Sequence, residues 1–193
     1  MPKHRIRTRA EVRQVDAHRA PARAGVLLAN LGTPDRPDAR ALRRYLREFL
    51  WDDRVVEVPR PIWWLILNLV IVPFRSPRSA EAYRRVWTER GSPLLYHTRD
   101  LADAMQREFE RNHPDVRVYP AMRYGQPGIA EALARMRDDN VQRLIVLPMY
   151  PQYSATTTAS VFDGLAAALK SVRWLPELRF VTHYHYDEAW VEA

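Results

Sequence analysis

The sequence has no cysteine. A disulfide framework, a thiol nucleophile and a cysteine-ligated metal are therefore all excluded, and the composition suits a reducing cytoplasm. Also missing are the G-x-G-x-x-G and G-x-x-x-x-G-K-[ST] phosphate loops, the H-E-x-x-H metal motif and the G-x-S-x-G nucleophile elbow. No apolar run is long enough to span a bilayer. The longest candidate, Pro61–Phe74, holds eleven residues between its prolines, against roughly 20 for a spanning helix. The basic excess is also local. Residues 1–23 carry seven Lys/Arg against Glu11 and Asp16, five of the seven net positive charges. Such a distribution calls for no nucleic-acid-binding domain. Residues 1–22 lack the apolar core of a secretory signal and read as a disordered basic tail.

What is present is a chain long enough for one well-filled α/β domain, residues 23–193. Gly25–Leu31 is a continuous apolar run closed by Gly32-Thr33-Pro34, the pattern of a parallel strand covered on both faces. A helix starts at Pro37-Asp38 with Leu42, Tyr45, Leu46, Phe49 and Leu50 on one face and Arg40, Arg43, Arg44 and Arg47 on the other. Pro61–Phe74 follows, with Trp63 and Trp64 at one end and Arg75 beyond the other. It reads either as a buried core helix or as an apolar lip with anchored edges. Helices are expected over Ser79–Thr88, broken at Gly91-Ser92-Pro93, around Leu101–Phe109 and over Ile129–Met136. Strands are expected at Val116–Ala121, Arg143–Met149 and Leu178–Thr182. Alternation of this kind predicts a parallel sheet with right-handed crossovers.

The segment Leu147–Ser160 stands out. An apolar strand runs into two prolines, two tyrosines and a cluster of hydroxyls, with no glycine to cradle a phosphate, and then into a helix. Rings beside hydroxyls suit a flat, largely apolar ligand with polar edges. Loops at Asn30–Pro34, Met122–Pro127, Tyr150–Ser154 and after Thr182 fall at one sheet edge, where α/β folds bind ligands. They predict a cleft lined by Leu31, Arg123, Tyr124, Tyr150 and Ser154, with Arg75 at its rim. His183, His185 and Asp187 alternate like a strand end, but two imidazoles without a defined third ligand make a poor metal site. They read as surface residues.

In order, Leu28-Ala29-Asn30-Leu31-Gly32-Thr33-Pro34, Arg75-Ser76-Pro77 with Tyr83-Arg84-Arg85, Gly91-Ser92-Pro93, Arg123-Tyr124 and Tyr150-Pro151-Gln152-Tyr153-Ser154 resemble the ferrochelatases. These enzymes insert ferrous iron into a porphyrin at the last step of haem biosynthesis. The resemblance runs from Gly25 to Ala193. It implies a Rossmann-like chelatase fold with helices on both faces of the sheet, one of two similar domains with porphyrin held between them. Leu31 matches a position beneath the macrocycle and looks like the protoporphyrin type, since enzymes using coproporphyrin tend to carry tyrosine there. Arg75, Tyr83 and Ser92 match positions at the porphyrin edge and its propionates. Arg123, Tyr124, Tyr150 and Ser154 match the opposite wall. Trp63, Trp64, Leu65, Leu69 and Phe74 match a lip through which some members touch membrane.

Ala155 stands where members with an iron–sulfur cluster carry a cysteine, so no cluster and no resident cofactor are expected; ferrous iron and protoporphyrin IX are substrates. The family's metal-handling histidine and its partner glutamate lie further along, and no histidine here has the matching Ser-x-His-Gly-x-Pro context. The chain is thus expected to be the N-terminal portion of a longer bacterial lyase, cytoplasmic with peripheral membrane contact, partnered by its missing C-terminal domain and inactive alone. The rival readings are a ligand-binding half-domain without catalysis and a cobalt or nickel chelatase acting on another tetrapyrrole.

Overall fold

The computed structural model describes residues 22–192, so the basic tail lies outside the described residues. Four strands, β1 (Arg23–Gly32), β2 (Val116–Tyr124), β3 (Val141–Pro148) and β4 (Glu177–Phe180), form a parallel sheet in the order β2-β1-β3-β4. β1 is central, pairing Leu28 with Pro120 on one side and Leu147 on the other. Its side chains alternate between two cores, as the two-residue strand period requires. Leu27 and Ala29 pack with α5 (Ile129–Asp138) and α6 (Ser160–Leu169). Val26 and Leu28 pack against α4 (Pro93–Asn112) through Ala102, Met105 and Phe109. Helices therefore cover both faces, as expected from the alternation of elements.

A third core forms between α1 (Ala39–Leu50) and the helical run that follows. Asp38 caps α1, accepting a 2.8 Å bond from the Ala41 amide, and the arginine face expected at 40, 43, 44 and 47 is exposed. The prolines after it do not end the next helix. α2 (Arg60–Leu65), a π-helical turn (Ile66–Ile71) and α3 (Val72–Val86) form one run through Pro73 and Pro77. Pro73 falls in the first turn of α3, where a missing N–H is tolerated. Beside Pro77, the Ser76 hydroxyl donates to the Val72 carbonyl at 2.6 Å. The Val72 amide reaches back five residues to Leu67, so the π turn inserts one residue into the helical repeat. The buried stripe accordingly reads Trp63, Leu67, Val72, Ser76, Ala80, with a five-residue step across the π turn.

That stripe resolves the two readings of the lip: one side is core and the other is solvent. Ile62, Trp64, Leu65, Leu69, Val70 and Phe74 are exposed. Trp63, expected among the lip contacts, is instead a core residue, buried with its indole N–H donating to the Leu50 carbonyl at 2.7 Å. No helix among the described residues is long and apolar enough to cross a membrane.

Gly32 ends β1 at φ 124°, and a Cβ there would overlap the carbonyl oxygen of Tyr124 on the neighbouring strand. Gly32→Ala is expected to lower the unfolding free energy by about 3 kcal/mol, from backbone strain plus overlap, as read by urea denaturation. An unchanged midpoint would contradict this packing.

Candidate functional site

The strand order places a topological switch point between β1 and β3, whose onward connections pass through α4 and α6 on opposite faces. In α/β sheets the crevice beyond the carboxyl ends of such a strand pair is where ligands bind. Here those ends deliver Leu31 and Tyr150. They are bonded together: the Tyr150 hydroxyl lies 2.9 Å from both the Leu31 amide and the Asn30 side-chain oxygen. Asn30 also accepts from the Leu31 amide at 2.9 Å and donates to Thr98 on α4 at 3.1 Å. Burial raises the Tyr150 hydroxyl above the ordinary tyrosine range, although the bond from the Leu31 amide opposes this. At neutral pH it is a proton donor.

The neighbouring hydroxyls build on the same strand end. Thr33 donates to Ser92 at 2.8 Å, and both are buried. Ser92 is the N-cap residue of α4, with Pro93 in the first turn. Tyr45 donates to the Gly32 carbonyl at 3.2 Å, and Tyr83 packs against the same cluster. Burial raises Tyr83 as well, with neighbouring Tyr45 opposing it. Leu31 packs beside this cluster. Leu31, Tyr83, Ser92 and Tyr150, singled out in the sequence, are thus gathered around one strand end. Ser154 precedes the π turn Ala155–Ala159 that leads into α6, and its hydroxyl bonds Thr156 at 3.0 Å. Arg75 is exposed on α3, with no partner among the described residues.

Arg123 and Tyr124 are placed differently. β2 runs on through Tyr124 instead of ending at Ala121, so neither residue sits in a loop. Tyr124 is wholly buried, which corrects its expected exposure in the cleft. Its hydroxyl donates to Asp52 at 2.7 Å and lies 2.8 Å from Ser160 Oγ. The Arg123 guanidinium donates to Asp52 at 2.7 Å and to the carbonyl and hydroxyl of Ser160 at 2.7 and 2.9 Å. Gly164 makes room for it, since a Cβ there would lie 2.9 Å from Arg123 Cδ. Asp52 also receives Ser160 Oγ at 2.6 Å and the Arg54 amide at 2.7 Å. Flanking pairs Arg54–Asp163 and Asp53–Arg60 form a charged staple that ties the α1–α2 loop to α6 and to the start of α2.

Two cavities border these networks. One of about 600 Å³ is lined by Asp52, Arg123, Glu48, Asp53, Asp163 and Ile129. The other, about 400 Å³, is lined by Thr33, Ser92, Trp87, Arg90, Arg99 and Gln126. Leu31, Arg75, Tyr83, Tyr150 and Ser154 line neither. Among the described residues, no cluster of three or more His, Cys, Asp or Glu side chains is arranged to hold a metal. β4 ends at Phe180, so His183 and His185 leave the strand; they bond Thr182 Oγ1 and the Pro151 carbonyl at 3.0 and 3.3 Å.

Asn30, Asp52 and Ser160 were not singled out by sequence reasoning. Asp52 did leave a signal: acidic residues immediately after a helix C-terminus oppose the helix dipole and call for a cation nearby. Burial pushes the Asp52 carboxyl up, but the bonds from Ser160, Tyr124 and the Arg54 amide, with the Arg123 charge, outweigh it and hold the carboxyl below the usual range. A lowered folded pKa stabilises above the unfolded value of about 4 and stops doing so as pH falls through the folded value. Asp52→Ala is therefore expected to cost about 3 kcal/mol at pH 7. The cost should shrink below about pH 4, as measured by urea unfolding across pH. A pH-independent cost would contradict an ionised Asp52.

A ferrochelatase family model matches residues 23–193. Curated relatives include ferrochelatases of Idiomarina loihiensis, 54% identical over 178 residues, and Marinobacter nauticus, 53% identical over 180 residues. They cover 92% and 91% of this chain but 49% and 48% of those proteins. A third, from Pseudoalteromonas atlantica, is 50% identical over 177 residues, covering 91% of this chain and 49% of that protein. The chain spans about half the length of the curated relatives it matches. With the family's span and the parallel sheet in agreement, this chain belongs to the ferrochelatase family.

Proposed function

We propose that this chain forms the porphyrin-binding wall of an enzyme that inserts ferrous iron into protoporphyrin IX to give protohaem. The observation that carries the reading is the bonded junction of Leu31 and Tyr150 at the switch point. It supports an apolar side chain offered to the macrocycle face beside a rigid aromatic ring. Arg75, free of partners among the described residues, suits a propionate, which a guanidinium can bind bidentately. Tyr83, Ser92 and Ser154 supply hydroxyls around it. Arg123 supports the wall from behind through Asp52 and Ser160.

Metal insertion removes two pyrrole protons and tilts nitrogen lone pairs out of the ring plane. A wall held rigid by interstrand bonds favours a distorted macrocycle over a flat one, and so lowers the barrier. The proton acceptor must come from elsewhere. Tyr45, Tyr83, Tyr124 and Tyr150 are all raised by burial and hold their protons at neutral pH. The Asp52 oxygens are already filled by four donors. A further domain, of the size by which the relatives exceed this chain, would supply the base and the metal-guiding carboxylate. Exposed Phe162, Trp174, Leu175 and Leu178 around edge strand β4 are consistent with such a neighbour. The exposed side of the lip, with Trp64, Leu65, Leu69 and Phe74, supports peripheral contact of a cytoplasmic protein with a membrane surface.

Titrating the 193-residue chain with protoporphyrin IX tests the reading. A shifted Soret band is expected, with the dissociation constant about tenfold weaker in Arg75→Ala. Added ferrous iron should leave the metal-free porphyrin spectrum unchanged. No Soret shift would contradict the wall, and conversion to haem by this chain alone would contradict the assignment of the base to another domain.

A further inference from the structure

We infer that Asn30 is the positioning residue of this wall, its carboxamide clamping the Tyr150 phenol and the Leu31 backbone against α4 across the β1–β3 switch point. The inference rests on the porphyrin-wall reading and adds the group that fixes its geometry. Asn30 is itself buried and touches no open face, so it acts through its neighbours.

Three elements meet at its side chain. The oxygen takes the Tyr150 hydroxyl from the β3–α6 connection and the Leu31 amide from β1, each at 2.9 Å. The nitrogen reaches Thr98 Oγ1 on α4 at 3.1 Å. Thr98 in turn donates its single proton to the Leu94 carbonyl at 2.6 Å, so it can only accept from position 30. This fixes the amide orientation and explains why the side chain must be an amide. A carboxylate would set oxygen against a hydroxyl whose proton is already used, and an alkyl group would leave the phenol and Thr98 unsatisfied. Tyr150 Oη also accepts from the Leu31 amide, closing a small ring of bonds among Asn30, Leu31 and Tyr150. With Thr98 anchoring the amide, the phenol cannot swing away from Leu31 without breaking the ring. Leu31 and Tyr150 are thereby presented as one rigid unit.

A double-mutant cycle on protoporphyrin IX affinity tests this in the 193-residue chain, with folding followed by circular dichroism. Asn30→Ala and Tyr150→Phe are each expected to weaken binding about tenfold. The double variant should be no weaker than the weaker single one, because both break the same unit. Asn30→Asp should fail to rescue. If Asn30→Ala does not fold, Thr98→Val removes the anchor while leaving Asn30 and Tyr150 in place, and its several-fold loss should likewise be non-additive with Tyr150→Phe. Losses that multiply in the double variant, or wild-type affinity in Asn30→Ala, would overturn the positioning role while leaving the wall intact. No Soret shift in the wild-type chain would overturn the wall itself, and this role with it.

Discussion

The carboxyl end of β1 is the point on which the surrounding polar structure depends. The strand is hydrogen-bonded on both sides, to β2 and to β3, and its two faces feed two separate cores. Its end is therefore held by the whole sheet and cannot drift. From there, bonds run to α4 through Asn30 and Thr33, to α1 through Gly32 and to the β3–α6 connection through Leu31. A glycine at φ 124° makes this possible, because it lets β1 close against the Tyr124 carbonyl before the chain turns out. A binding wall built there inherits the rigidity of the sheet at no further entropic cost to its loops.

A second polar system does a different job. Asp52 gathers Arg123, Tyr124 and Ser160 and ties down the loop from which the lip helix departs. The lip is apolar on its open side and would otherwise join the rest through one helical stripe alone. The charged staple holds its root while the π turn keeps that stripe in register. Arg123 and Tyr124, expected at the cleft from the sequence, are both bonded into this network, and Arg123 also lines the larger of the two cavities. A conspicuous arginine–tyrosine pair serves as well in a buried ion network as in a pocket.

Elements with a strong period were legible in the sequence. β1, β3, α1 and α5 were each visible from apolar runs or helical spacing, because burial on one or two faces writes that pattern directly. Boundaries set by bonding partners were not. β2 extends through Arg123 and Tyr124 because β1 continues to pair with it, a fact local composition does not carry. The prolines at 73 and 77 misled for a similar reason, since a π turn and the packing of α3 on α1 override their local preference. Leu31, Tyr83, Ser92 and Tyr150, which the structure gathers around the end of β1, were singled out by loop chemistry and family resemblance. Asn30 appeared there only as part of the Asn30–Pro34 loop and its motif, because the bonds it makes run to partners 68 and 120 residues away, which local sequence does not carry.

The reading of this wall rests on Leu31 and Tyr150 facing a porphyrin together. Methyl and aromatic NMR of the 193-residue chain with zinc protoporphyrin reads this directly, through the ring current of the macrocycle. The account predicts large upfield shifts of the Leu31 methyls and the Tyr150 ring, with small changes at Ile129 and Ala130 in the larger cavity. Shifts concentrated at that cavity, or absent from Leu31, would contradict it.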